Sequence, residues 1–172
     1  MKTTPFAWIS LTALLLMAWT STAPAPAATL VETVRAATER FHNSEEATAA
    51  GYANTFMCVN GPEEGAMGVH FAHADLIGDG ALDPAQPELL VYEPKNGQLH
   101  LVAVEYLVLA EAWDAHNPMP PTLLGQLFQY YGSPNRYGLP AYYELHVWAW
   151  KENPHGMFAD WNPDVSCADY AP

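Results

Sequence analysis

The order of hydrophobic patterns along the chain predicts an α+β domain: an antiparallel sheet of about four strands with N-terminal helices packed on one face. Two observations carry that expectation. Clear helical periodicity opens the domain, whereas GAMGVHF, ELLVYE, LHLVAVEYLVL and YYELHVWAW follow as apolar runs rich in β-branched and aromatic residues. Between the second and third of these runs lies PKNGQ, whose Asn96-Gly97 pair suits a tight turn and therefore an antiparallel hairpin.

In chain order, LVETVRAATERF sets Leu30, Val34, Ala37 and Phe41 at helical spacing, with Glu32, Arg35 and Glu39 on the other faces. An amphipathic helix follows. Asn43 with Glu46 three residues on resembles a capping box, so a second, Ala-rich helix is expected through SEEATAAGYAN. The turn-rich VNGPEEG then separates the helices from the strands. Leu99 to Leu109 is apolar on both alternating faces, which predicts a central strand covered on both sides. TLLGQLFQYYG offers Leu123, Leu124, Leu127, Phe128 and Tyr131, with Thr122 as N-cap and Gly132 just past the end, and is read as a short helix.

The first residues speak to compartment. Lys2 precedes an apolar stretch from Phe6 to Trp19 and a Pro/Ala tract, with Ala25 and Ala27 at the small-residue positions of a cleavage site. Residues 1–27 are therefore expected to be a secretory signal, and residues 28–172 a single secreted or periplasmic domain with no membrane span. About fourteen apolar residues are too few for a span, which needs about twenty. The remaining domain carries five Lys and Arg against nineteen Asp and Glu, a net charge of −14 with histidines neutral. That balance argues against nucleic acid and anionic lipid as partners and leaves metal ions and small molecules. In an oxidising compartment the two cysteines, Cys58 and Cys167, are expected to form a structural disulfide. Closing a loop of about 110 residues, it would stabilise the fold by about 4–5 kcal/mol on the chain-entropy estimate.

Three ionisable residues stand inside the apolar runs: His70, Glu105 and His146. Each must find a partner or bear a desolvation penalty. Alternation along GAMGVHF places Met67, Val69 and Phe71 on one face, and Gly68, His70 and Ala72 on the other. Along YYELHVWAW it sets Tyr142, Glu144, His146, Trp148 and Trp150 together; Glu105 shares a face with Leu101, Ala103 and Leu107. Two imidazoles and a carboxylate from separate strands make a sufficient donor set for zinc or a similar divalent ion, with one position left open. The alternative is a structural polar network of satisfied core groups, in a non-catalytic binding or envelope protein. For an enzyme built on such a centre, metal-assisted hydrolysis is the natural class, with Glu144 or Glu105 as base.

Other candidates are weaker. His73 falls on the opposite strand face from His70, and His42, His100, His116 and His155 lie at segment ends or in polar surroundings. The loop DLIGDGALDPAQPE fails as an EF-hand: with Gly80 at the sixth position, Ile77 stands where an oxygen donor is required and Gln86 where a bidentate glutamate is required. No G-x-S-x-G or glycine-rich phosphate loop occurs. Tyr130, Tyr131, Tyr137, Tyr142, Tyr143, Trp148, Trp150 and Trp161 crowd the C-terminal third, either as core or as a ligand surface.

The segments ATERF, AAGY, GAMGVHF, PELLVYEPKNGQLHLVAVEYLV and LHVWAWKENPHGMFADWNP, with Cys167, together resemble a family of uncharacterised exported bacterial proteins. That resemblance implies a secreted single domain in which His70, Glu105 and His146 are typical; it implies no activity. Tyr92-Glu93, Ala103-Val104-Glu105-Tyr106 and His146-Val147-Trp148 are also similar to motifs of the oil-body-associated proteins of plants and their bacterial relatives. This shorter likeness implies a shared fold and polar centre, again without a chemistry to carry over.

Overall fold

The first helix begins where the sequence places it. In the computed structural model, which describes residues 28–61 and 63–171, α1 spans Leu30–Thr38. The expected signal segment, 1–27, lies outside the described residues. Thr29 closes a capping box on α1: its hydroxyl accepts from the Glu32 N–H while the Glu32 carboxylate accepts from the Thr29 N–H at 2.8 Å. A 3₁₀ turn, Glu39–His42, leads to α2 at Ser44–Ala49. Asn43 caps α2 as expected, through the Glu45 N–H at 3.0 Å. The helix is shorter than the sequence suggested, because Gly51 turns the chain at φ 100°.

The sheet has six strands rather than four. They are β1 (Ala53–Asn60), β2 (Ala66–Ala72), β3 (Leu89–Lys95), β4 (Gln98–Leu109), β7 (Gln129–Tyr131) and β8 (Tyr142–Val147), antiparallel in the order β1-β2-β3-β4-β8-β7. Both additions are edge strands. β1 escapes the sequence pattern because most of its residues are exposed, leaving no apolar alternation to read. β7 lies in the segment read as a helix. There, β5 (Thr122–Leu123) and β6 (Gln126–Leu127) form a separate hairpin, with Leu124 and Gly125 both at positive φ in its two-residue turn. Leu123 and Phe128 are buried but Leu127 is exposed, so the apparent helical spacing of apolar residues does not correspond to one face. Short helices α3 (Ala74–Gly78) and α4 (Ala110–Asp114) follow β2 and β4.

One face of the sheet carries the main core. Leu30, Val34, Phe41 and Ala47 from the helical segment pack with Val69, Leu90, Val104, Tyr106, Leu145 and Val147. Buried tyrosines fix this layer by polar pins: Tyr92 Oη donates to the Phe41 carbonyl at 2.8 Å, and Tyr52 Oη to the Pro87 carbonyl at 2.7 Å. Disrupted pairing decides what faces the other side. Gly68 stands at φ 122° with the Tyr92 carbonyl 2.6 Å from where a Cβ would lie. That break in alternation leaves Val69 in the helix-side core and sends Met67 to the opposite face, beside His70. A bulge in β4 pairs Val91 with Ala103 but Tyr92 with Leu101, so Leu101 lies on the helix side and not, as alternation predicts, with Glu105. Beyond the end of β8, Trp150 also turns to the helix side, where its Nε1 donates to Thr38 Oγ1 at 3.0 Å.

Cys58 on β1 and Cys167 form a disulfide, with Cα atoms 5.6 Å apart. The bond fits an extracellular or periplasmic protein. No helix among the described residues is long and apolar enough to cross a membrane.

Candidate metal centre

The second face of the sheet is apolar at its two ends and ionisable in the middle. Ala72, Leu89, Leu107 and Tyr142 cluster on one side, and Ala66, Val91, Val102, Ala103 and Trp148 on the other. His70, Glu105, Glu144 and His146 lie on this face, all buried. Pairing positions them. Glu105 on β4 is directly opposite His146 on β8, and Glu144, two residues earlier on β8, projects to the same face. His70 comes from β2, with β3 between; the sheet's curl nevertheless brings its Nε2 to 3.2 Å from Glu105 Oε2.

Among the described residues, Glu105, Glu144 and His146 form a group whose donor atoms all lie within 4.8 Å of one another. Their spacing lets one metal ion touch all three. Alternation along the strand sets Glu144 beside His146, where the sequence suggests a role as base; the geometry adds it to a group that could hold a metal ion. His70, expected as a ligand, contacts Glu105 at 3.2 Å and lies outside the three-donor group.

Burial sets the charge states. It pulls His146 down to about 3, with the nearby His70 ring acting in the same direction, and His70 down to about 4 against the attraction of Glu144. It pushes Glu105 up to about 8, opposed by a hydrogen bond with Glu144. Glu144 is raised well above the usual carboxyl range by burial and by the negative charges of Glu105 and Asp160. Burial therefore favours the neutral form of both partners in the 3.2 Å His70–Glu105 contact. A divalent cation changes the balance, because its two charges match those of the paired carboxylates.

His146 is the most demanding of the four. It is fully buried, its ring stacks on Trp148 at 4.9 Å, and neither ring nitrogen has a hydrogen-bond partner. A neutral imidazole has one donor and one acceptor, and each left unpaired in the interior costs about 1–3 kcal/mol. Glu144 Oε1 is likewise buried without a partner.

A small cavity adjoins the group. It is bounded by His70, Glu105 and Glu144 together with apolar side chains, and its free space is about 20 Å³. Around it lies a second set of acid contacts: Tyr131 Oη donates to Asp160 Oδ2, Gln129 Nε2 donates to Asp160 Oδ1 at 3.0 Å, and Tyr131 stacks on Tyr142 at 5.2 Å.

The remaining candidates fall outside the centre. His73 packs against Gly51 and Tyr52, while His42, His100, His116 and His155 are exposed. In the acidic loop, Asp79 accepts from Ala81 N–H, and Asp83 from Ala85 N–H and Gln86 Nε2, so these carboxylates organise local turns. The C-terminal aromatics do not make one exposed platform: Tyr142, Tyr143 and Trp148 are buried, Tyr131, Tyr137, Trp150 and Trp161 half-buried, and Tyr130 exposed. Glu88 had no signal in the sequence beyond its place before a strand. It is buried, its Oε2 accepts from the Leu107 N–H at 3.1 Å, and burial pushes it up to about 8.

No protein-family model, curated protein or solved structure matches the chain.

Proposed function

We propose that this is an exported protein that binds one divalent first-row metal ion, such as zinc, through Glu105, Glu144 and His146. The observation that carries it is the buried His146 ring, with two unpartnered nitrogens, set in a group whose donor atoms all lie within 4.8 Å of one another. A metal supplies what the pocket lacks. It gives one His146 nitrogen a bond, lets both carboxylates ionise without repulsion, and leaves the site close to neutral. His70, 3.2 Å from Glu105, would orient that ligand, as outer-shell partners do at metal sites. Three protein donors leave a position for water, and with it the possibility of hydrolytic chemistry that the sequence suggested.

Isothermal titration of chelator-treated mature protein with Zn²⁺ tests this directly. One equivalent should bind to the wild type, and His146→Ala, with its fold checked by circular dichroism, should lose at least about a hundredfold in affinity. Heat of binding that is absent, or unchanged by the substitution, would leave His70, Glu105, Glu144 and His146 as a structural polar network.

A further inference from the structure

We propose that the cavity beside Glu105 and Glu144 holds one exchangeable, water-sized ligand on the bound metal. This would be water or hydroxide, replaceable by a small linear anion and closed to anything as large as a carboxylic acid. The inference rests on the metal reading above and adds where the open position faces and what it admits.

Two of the three donors, Glu105 and Glu144, line this cavity; His146 does not, and its ring stacks instead on Trp148. A metal held by all three would have Glu105 and Glu144 on its cavity side, and an open fourth position would face the cavity. The centre of a water molecule has about 20 Å³ in which to move, so the space takes a water or a slim linear anion lying along it, but not the breadth of a carboxylate. The walls are apolar, formed by Val59, Met67, Leu89 and Leu107, so a bound hydroxide or anion there would meet little competing water. Besides Glu105 and Glu144, the polar side chains in the lining are His70, Tyr137 and Tyr142, and His70 Nδ1 is buried with no partner.

Access is equally restricted. Of the lining residues only Phe56, Tyr137 and Leu139 are partly exposed, so the mouth lies among them. Tyr137 and Leu139 belong to a loop ordered by Asn135, whose Nδ2 donates to the Leu139 carbonyl at 2.8 Å and whose Oδ1 accepts from the Leu139 N–H. Tyr137 Oη reaches Met67 Sδ at 3.5 Å across the cavity entrance. A side chain held in this way sets the size of what passes.

The test uses mature protein loaded with Co²⁺, whose visible spectrum reports coordination. Azide and acetate are titrated separately. In the exchange, an azide nitrogen bonds to cobalt as the metal–water bond breaks and water leaves; no oxidation state changes. Wild type should show a saturable spectral change with azide and none with acetate at the same concentrations. Leu139→Ala, which removes three carbons at the mouth, should bind acetate at least about tenfold better than wild type. A spectrum indifferent to azide, or one that responds to acetate and azide alike in the wild type, would overturn the inference while leaving metal binding intact. Failure of Co²⁺ and Zn²⁺ to bind at all would instead overturn the metal reading and this inference with it. The wild-type comparison decides the matter even where Leu139→Ala does not fold.

Discussion

Replacing Glu144 with Gln should make the metal-free protein more stable and the metal-loaded protein harder to form. In the metal-free fold burial favours the protonated, neutral form of both Glu105 and Glu144. Burial pushes Glu105 from 4.5 to about 8, and Glu144 is raised in the same direction. In the unfolded chain both ionise near the ordinary value. As pH rises through that window the unfolded chain releases protons that the folded chain keeps, so stability present below about pH 4.5 is progressively lost toward pH 8. The slope is about 1.4 kcal/mol per pH unit for each such proton. Glu144→Gln removes one titrating group while keeping a neutral side chain of the same size beside Glu105. The gain should be small at pH 5 and should grow as the pH is raised to 8, because the removed group is one that burial holds protonated in the fold but that ionises in the unfolded chain. For a domain of this size each kcal/mol gained raises Tm by about 3–5 °C, so the difference between the two pH values is readable. The same change removes one of three donors and should weaken Zn²⁺ binding by more than the 10–100-fold typical of losing an outer-shell partner. Scanning calorimetry of chelator-treated wild type and variant at both pH values, repeated with Zn²⁺, measures both effects. Equal destabilisation at pH 5 and pH 8, with Zn²⁺ affinity unchanged, would refute the reasoning.

Three further predictions concern the frame around the centre. Glu88→Gln keeps an oxygen for the Leu107 N–H but removes a carboxyl that burial pushes up to about 8, so the decline in Tm between pH 5 and pH 8 should become shallower. A loss of Tm independent of pH would show that the charge is irrelevant. Gly68→Ala places a Cβ 2.6 Å from the Tyr92 carbonyl at φ 122°, and urea denaturation should show a loss of at least about 2 kcal/mol. A change under about 0.5 kcal/mol would mean that β2 can relax without Met67 leaving the cavity wall. Leu124 is exposed at φ 46°, where Asn is better tolerated, so Leu124→Asn should raise stability by up to about 1 kcal/mol; lower stability would mean that the Leu124 side chain holds the hairpin.

The centre was legible because an imidazole or carboxylate in an apolar strand leaves a visible break in composition. His70, Glu105 and His146 each made one, and Glu144 entered through alternation with His146. What alternation could not show was the pair of defects that govern the faces. Gly68 sends Met67 to the same side as His70, and the β4 bulge moves Leu101 away from Glu105. Each is a property of cross-strand pairing, invisible in either strand alone. The division of labour between His70 and Glu144 was hidden for the same reason, since it depends on how far the curled sheet carries β2 toward β8. The fold class and the four inner strands followed from apolar runs long enough to be buried. β1 left no such run, and β5 to β7 mimicked a helix because Leu123, Leu127 and Phe128 recur at helical spacing around a Leu124-Gly125 turn that only the left-handed backbone reveals.

The central claim is that Glu105, Glu144 and His146 hold a metal in the protein as the cell makes it. Plasma mass spectrometry of untagged mature protein from its native compartment, beside His146→Ala of confirmed fold, tests this most directly. The account predicts close to one equivalent of a single divalent metal in the wild type and little in the variant. No stoichiometric metal in either, or equal metal in both, would contradict it.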